Sequence, residues 1–526
     1  MDYDDWFLTA QQRDNPDTVL DCRHEGGAAW STGNEVRALI HGATYFAELR
    51  RHIAGLERGD LLLFTDWRGD PDQQLDDGPG HDIATALADA ARRGVVVKAL
   101  VWRSHWDRLA FSAQENRHLG EDIEAAGGEC LLDMRVRTGG SHHQKFAVLR
   151  HRGRPELDVA FVGGIDLCHS RRDDEQHHGD AQRQPMAAVY GERPPWHDAQ
   201  AQIRGPAVGD VEAVFRERWN DPAPLARNPL YRIGELVRGE DTHTDPLPAQ
   251  LPDPAPRGSC AVQLLRTYPY RKRGYPFASR GERSVARGYQ KAISRARRLI
   301  YLEDQYFWGA EIVRSFADAL AAHDELHLIV VIPHYPDQEG WTMPPNLIGR
   351  QDALREIRAA GGDRVAVYGL ENHAGVPVYV HAKVCILDDV WASIGSDNVN
   401  RRSWTHDSEL TCAVIDDAGQ FPRELRLALA REHLDRPADP DRTGDGQPGD
   451  ADLLDPAGLF AAFAESAARL QQWHRDGCAG PRPPGRLRPY DPPGLGSRTR
   501  LWARPLYRAI YDPDGRPRRL RREHRF

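Results

Sequence analysis

The sequence repeats itself at domain scale, and a duplication of that length limits the fold more tightly than any single motif. Leu61-Leu-Leu-Phe-Thr-Asp-Trp67 reads as a buried strand. It is followed by a helical stretch from Ile83 to Arg93, a strand from Val95 to Val101, and a helix that runs out at Ile123-Glu-Ala-Ala-Gly-Gly128, where the glycines suit a helix stop. The second half opens with a helix around Val285 to Ala296. It then gives Leu299 to Phe307, a helix near Ile312 to Ala322, a strand from Leu326 to Ile332, and a helix ending Ile357-Arg-Ala-Ala-Gly-Gly362. Asp66 and Asp304 stand 238 positions apart and Ile123 and Ile357 stand 234 apart, so the offset barely drifts. Strands alternating with helices predict an α/β fold of two pseudo-symmetric halves that pack together, each a sheet flanked by helices. Ahead of the first strand, Val36, Leu39, Ile40, Tyr45, Phe46, Leu49 and Ile53 recur at helical spacing. They follow Thr32-Gly-Asn-Glu35, which has the form of a capping box, so a helix is predicted there.

These signals divide the chain into a first repeat over 1–239, a linker over 240–258, a second repeat over 259–435 and a C-terminal part over 436–526 with a helix near Leu453 to Trp473. The linker carries Pro246, Pro248, Pro252, Pro254 and Pro256, a composition that favours extended chain. From Arg498 to Phe526 ten arginines face Asp512, Asp514 and Glu523, a local excess of +7. Such a tail suits contact with anionic lipid or nucleic acid, or an arm packed back on the acidic body.

The whole chain has 69 Lys and Arg against 78 Asp and Glu, net −9, the wrong sign for a protein devoted to gripping nucleic acid. No apolar run is long enough to cross a bilayer, and the acidic start is unlike a secretory signal, so a cytoplasmic location is expected. The seven cysteines lack any close pair and read as reduced thiols rather than as a zinc site.

The chemistry lies in a signature that each half carries after its Ala-Ala-Gly-Gly: His143-Gln-Lys145 and His381-Ala-Lys383. Residues i and i+2 of an extended strand share a face, so each His and Lys point one way while Gln144 and Phe146, or Ala382 and Val384, point the other. Each signature leads through a turn into a second strand ending in small and polar residues, Gly163-Gly164-Ile165-Asp166 and Gly395-Ser396-Asp397-Asn398. Small residues there would let a ligand come close to the backbone. Two matching copies imply a cleft at the junction of the halves with an imidazole on either side, an arrangement suited to displacement at a bond lying between them.

These segments, with Trp196-His-Asp198, Tyr301-Leu-Glu-Asp-Gln-Tyr-Phe307, His381-x-Lys383-x4-Asp388 and Asp407-Ser-Glu409, resemble the phospholipase D superfamily across roughly Thr32 to Leu410. Within it they resemble the two-repeat, phospholipid-cleaving branch. The resemblance implies two sandwich-like α/β halves with the active site at their interface. It further implies hydrolysis of the distal phosphodiester of a glycerophospholipid through a phosphohistidine, with transfer to another alcohol as an option. His143 would attack phosphorus and His381 would protonate the leaving alcohol and then activate water. Lys145, Lys383 and Asn398 would offset the phosphate charge, with Ser396, Asp166, Gly164 and Gln305 as further substrate-binding candidates. Asp198 would orient the imidazole of the first half and Glu409 that of the second, while Asp388 closes the second signature. No cofactor and no metal are required, and His142, His169, His177 and His178 are read as ordinary loop histidines. A transient membrane surface, no obligate nucleic acid and a monomeric state are expected. A cardiolipin-synthase-like phosphatidyltransferase, a nuclease and a non-catalytic phosphate-binding scaffold are the alternatives.

One departure stands out. Arg150 occupies the place of the first signature's aspartate, and His143 to Asp166 spans 23 positions against 17 from His381 to Asn398. Asp158, at the far end of that longer turn, is the candidate replacement. The apolar loop Trp341-Thr-Met-Pro-Pro345 either dips into a lipid interface or packs on the body.

Overall fold

The computed structural model describes residues 2–104, 113–226, 243–436, 450–492 and 494–526. The start of the linker, 240–242, and residues 437–449 of the C-terminal part lie outside the described residues. In the first half the strands are β1 (Ser31–Ile40), β2 (Leu61–Asp66), β3 (Val96–Trp102), β4 (Glu129–Asp133), β5 (Phe146–Arg150), β6 (Val159–Gly163), β7 (Trp196–His197) and β8 (Ala199–Arg204). The second half contributes β9 (Cys260–Tyr268), β10 (Glu282–Arg283), β11 (Leu299–Glu303), β12 (His327–Val331), β13 (Val365–Glu371), β14 (Pro377–Val380), β15 (Val384–Leu387), β16 (Trp391–Gly395) and β17 (Glu409–Asp416). The late strand β18 (Leu487–Pro489) joins it.

The two sheets match strand for strand. One runs β4-β3-β2-β5-β6-β8-β1, parallel from β4 to β2 and antiparallel thereafter. The other runs β13-β12-β11-β15-β16-β17-β9 with the same change of direction. Their last strands pair with each other, Ser31 opposite Val262 and Asn34 opposite Cys260, so the halves meet edge to edge in one large mixed sheet flanked by helices.

Both faces of each sheet are covered, which is why its strands are apolar runs rather than alternating ones. Leu61 and Leu63 face a central core with Val148, Val162, Ile203 and, from the second half, Val384, Ile394 and Val414. Leu62 and Phe64 turn the other way, onto Phe46, Leu49 and Leu87 of the helices Gly42–Ala54 and Ile83–Arg92. The second half builds its own outer core from Ile300, Leu302, Phe316, Leu354 and Trp391.

The helix predicted from Val36 is displaced. Residues 31–40 form a strand held on both sides, by β8 from Glu35↔Arg204 to Ile40↔Ala199 and by β9. The helix begins only at Gly42, where a Cβ would lie 1.7 Å from the Arg171 carbonyl oxygen. Asn34, part of the apparent capping box, instead accepts from Ala207 N at 2.8 Å, at the head of the helix Ala207–Trp219. Partnering by neighbouring strands has overridden a helical apolar rhythm. The first residues of the chain pack on the second half: Phe7 and Leu8 enter its outer core, and Arg13 bonds Asp21 and Glu282. The described linker is extended chain without strand or helix. The arginine-rich tail folds back on the body, with Ala503, Tyr507 and Phe526 buried and Arg516 bonded to Glu311 and Asp514.

Candidate active site

Each signature segment runs beside the acid-bearing segment of the opposite half. His143 N donates to Ser408 O at 2.9 Å, and His142 bridges Ser408 in parallel register. His381 N donates to His197 O at 2.7 Å, after Tyr379 and Val380 have paired in parallel with Trp196 and His197. Around this exchange the contacts repeat across a pseudo-dyad. Gly163 N reaches Lys145 O and Gly395 N reaches Lys383 O, both at 3.2 Å. Asp66 accepts Leu167 N at 2.9 Å, and Asp304 accepts Val399 N at 2.7 Å.

The exchange brings each imidazole to a carboxylate of the other half. His143 Nδ1 lies 2.9 Å from Glu409 Oε2, and His381 Nδ1 lies 2.6 Å from Asp198 Oδ2. The expectation that each half supplies the acid for its own histidine is therefore corrected: the tethers cross, because β7 and the start of β17 are carried across the junction. An ionised carboxylate only accepts, so each Nδ1 carries the hydrogen and each Nε2 presents its lone pair. Burial and the neighbouring Lys383 pull the His381 imidazole down to about 3, against the opposing pull of Asp198. Burial works against charge on Asp198, yet His381 and Lys383 hold its carboxyl below the usual range.

The lysines that share a face with these histidines are buried, at 1% and 2% exposure. Their ammonium groups return to the carbonyls of His143 (2.9 Å) and His381. Lys145 also meets Asp166 at 3.3 Å, which leaves Asp166 as its counter-ion rather than a binder of anionic substrate. Burial opposes charge on Asp166, but Lys145, a hydrogen bond with Asp66 and Arg171 hold its carboxyl low, whereas burial and Asp166 push Asp66 well up. Lys383 is different: burial brings it down to about 8 against the pull of Asp198 and Asp304. Its Nζ lies 3.4 Å from Gln305 Oε1, and Gln305 donates to Tyr379 OH at 2.8 Å, so Gln305 holds the lysine in place. Asn398, where the first half has Asp166, is buried, and its Oδ1 has no hydrogen-bond partner among the described residues.

Two substrate-binding candidates have other partners. The Ser396 hydroxyl donates to Glu409 Oε2 at 2.5 Å and accepts Leu410 N at 3.1 Å, so it steadies the carboxylate behind His143. At Gly164 a Cβ would come within 2.5 Å of Asp198 Oδ1, so this glycine makes room for the carboxylate behind His381 rather than for a ligand.

Asp388, carried as a catalytic candidate, stands apart from the site. It lies past the far end of β15 from Lys383, about 15 Å of extended chain away, in a left-handed turn at φ 52°. Its carboxylate accepts the amides of Arg297, Arg298 and Leu299 at 2.7, 2.9 and 2.7 Å, fastening the hairpin to the start of β11. Arg150 in the first half bonds Asp158, Glu212 and Pro252 O. Asp158 therefore serves the arginine and the His151 amide and does not take over the strap. That falls to Asp60 just ahead of β2, which accepts Arg152 N at 2.7 Å, the same tie with donor and acceptor exchanged.

Sequence reasoning missed several members of the site. Asp66 and Asp304 served only as repeat markers, although acids at the same strand end in both halves were a signal. The Trp196 ring lies 5.0 Å from the His381 ring, and the Arg171 guanidinium stacks on Trp196 at 3.9 Å and reaches Asp166 at 3.8 Å. Nothing in the spacing singled out Arg171. Of the loop histidines, His142 is buried against Thr65 and Gln144, and His169 pairs with Asp70 and Asp72. Among the described residues, side-chain clusters that could hold a metal ion lie at His41, His177, His197 and Glu432 and at His197, Glu303 and His433, not at the two reactive imidazoles.

The family described as "Phospholipase D" matches residues 124–331, and "Cardiolipin synthase, PLD-like domain" matches 289–428. Phospholipase D alpha 1 of Cynara cardunculus is 27% identical over 493 residues, 69% of this chain and 60% of the relative. That of Ricinus communis is 26% identical over 486 residues, 68% and 59%. The chain thus spans about 60% of the length of these curated relatives. Among solved structures, phosphatidylserine synthase of Haemophilus influenzae superposes with a TM-score of 0.51 at 12% identity, over 84% of this chain and 93% of that one, a likeness of fold. With the duplicated signature, the crossed tethers and these matches together, the chain belongs to the phospholipase D superfamily.

Proposed function

We propose that the protein is a phospholipase D-type phosphodiesterase that cleaves the distal phosphodiester of a phosphatidylcholine-like glycerophospholipid to phosphatidic acid and a free alcohol. The observation that carries this reading is the pair of His-x-Lys segments, each imidazole oriented by a carboxylate from the opposite half. Lys145, Lys383 and the amide of Asn398 meet the phosphate's non-bridging oxygens. His143 Nε2 attacks phosphorus, the bond to the head-group oxygen breaks, and that oxygen takes the proton of His381 Nε2. Water then gives a proton to His381 as its oxygen displaces His143. An acceptor alcohol in place of water gives transphosphatidylation, the reaction class that the synthase-like matches favour. His381 is neutral in the free site, so its role as acid depends on the phosphate anion raising its proton affinity. The same observation favours a second reading with the two histidines exchanged, and the identity of the phosphorylated residue decides between them.

A lipid surface suits the apolar residues left in water. Trp341 is 72% exposed, with Tyr335 and Met343 beside it, and Leu501 and Trp502 project from the tail helix Ser497–Leu506 packed on the helix Met343–Gly361. No helix among the described residues is long and apolar enough to cross a membrane. Seven unpaired cysteines fit a reducing, cytoplasmic setting with peripheral membrane contact.

The test is to incubate the protein with phosphatidylcholine vesicles, with and without ethanol, and separately with single-stranded DNA. Phosphatidic acid and choline are expected, with phosphatidylethanol when ethanol is present, and none from His143→Ala or His381→Ala. DNA cleavage without lipid products moves the assignment to a nuclease, and inertness toward both moves it to a scaffold.

A further inference from the structure

Behind the active site lies a group of side chains that the reaction does not use. His41, His177 and His197 of the first half converge on Glu432 of the second. Their rings stand 4.7 to 5.6 Å apart, centre to centre. His41 Nε2 lies 2.8 Å from Glu432 Oε2, while His177 Nε2 and His197 Nδ1 lie 2.9 and 3.2 Å from Oε1. The three histidines are buried.

The other nitrogen of each ring decides what faces the carboxylate. His41 Nδ1 lies 3.2 Å from the Asp198 carbonyl and 3.4 Å from the Asp198 amide nitrogen, and His177 Nδ1 lies 3.1 Å from the Trp196 carbonyl. His197 Nε2 is held by Glu303 Oε2 at 2.6 Å, a carboxylate further fixed by Tyr301 and His433. Each ring has an acceptor on its outer side that can take one ring hydrogen, which leaves the inner nitrogens and Glu432 to share either protons or a cation. Three inner ring nitrogens and a carboxylate in a dry interior need positive charge between them, as ring protons or as a bound cation. Holding the distal ring nitrogen by a carbonyl or carboxylate is how proteins orient metal-ligating histidines.

We propose that His41, His177, His197 and Glu432 bind a divalent first-row transition ion, zinc above all, as a structural clip between the two halves. Three imidazoles and one carboxylate are a tetrahedral zinc donor set. Bonds of about 2.0–2.1 Å place tetrahedral ligands about 3.3 Å apart, and all four ligand atoms already lie within 4.8 Å of one another. Entry is available through a surface cleft of about 570 Å³, whose wall includes His41 and Glu432 along with Glu175 and Asp435. The ion would take no part in phosphoryl transfer. It would brace His197 and the Asp198 carbonyl, and so the carboxylate that orients His381. The proposal does not rest on which phosphodiester the enzyme cleaves.

The purified full-length protein, stripped with chelator, re-equilibrated with Zn²⁺ and gel-filtered, is expected to carry one zinc per chain and to melt at a higher temperature than the stripped protein. With Co²⁺ it is expected to show the visible spectrum of a four-coordinate nitrogen–oxygen site. His177→Ala and Glu432→Gln should each weaken zinc binding beyond the roughly 10- to 100-fold typical of losing an outer partner, while His373→Ala on the cleft wall leaves it unchanged. Wild-type protein that retains no stoichiometric zinc and gives no four-coordinate cobalt spectrum overturns the proposal, whatever the variants do. Undiminished binding in both ligand variants overturns it as well.

Discussion

Replacing the two tethering carboxylates separately should impair different steps on different histidines. Asp198→Asn keeps the shape of the side chain but offers an N–H to His381 Nδ1, which moves the ring hydrogen to Nε2 and fixes the wrong tautomer. The lost contact is a buried 2.6 Å charge-assisted bond. Loss of an oriented acid–base group costs about 10²- to 10⁴-fold, or ~3–5 kcal/mol of barrier at 1.36 kcal/mol per tenfold. With a phosphatidyl ester of p-nitrophenol, whose departure needs no acid, Asp198→Asn should release the first nitrophenol at close to the wild-type rate. It should then stall, with phosphate accumulating on His143, because His381 can no longer activate water. Glu409→Gln should slow that first release by the same 10²- to 10⁴-fold and accumulate no phosphohistidine. Rapid-quench kinetics with peptide mapping reads both. Phosphate building up on His143 in Glu409→Gln, with Asp198→Asn blocking its formation, would refute the crossed pairing.

Three further outcomes follow from the same geometry. Gly164→Ala should reproduce the kinetic defect of Asp198→Asn, since the added methyl comes within 2.5 Å of Asp198 Oδ1 and displaces the carboxylate whose other oxygen tethers His381; a variant with wild-type turnover contradicts that crowding. Asp388→Asn should lower stability by about 2 kcal/mol in denaturant unfolding, through weaker acceptance of three amides, and leave kcat/KM of the folded protein unchanged. A large loss of kcat/KM there would return Asp388 to the chemistry. The alkaline limb of kcat/KM should fall near pH 8, where Lys383 loses its proton in the free enzyme. The limb of kcat should lie higher, because a bound phosphate anion favours the charged ammonium; coincident limbs argue against Lys383 as a phosphate contact.

What the sequence made legible was set by periodicity and duplication. The apolar runs at Leu61 and Leu299, the helix ends at Gly128 and Gly362, and the two His-x-Lys copies carry local signals, and the fold and the reacting groups follow from them. Partner choice across the junction has no local signal. Nothing near His143 in the chain says that its acid is Glu409, because the pairing depends on β7 meeting β14 and His142 meeting Ser408. The strand at 31–40 was hidden for the same reason, since it exists through β8 and β9. Asp388 misled in the opposite way: it belongs to the motif by spacing, but its chemistry is that of a turn.

The central claim, that one imidazole from each half addresses a single phosphorus, is tested most directly by a crystal structure with orthovanadate. The account predicts one vanadium between the rings, bonded to Nε2 of one histidine with Nε2 of the other aligned on the opposite, leaving-group side, and Lys145 and Lys383 on its oxygens. Vanadate bound at each histidine separately, or at only one with the second imidazole turned away, would contradict it.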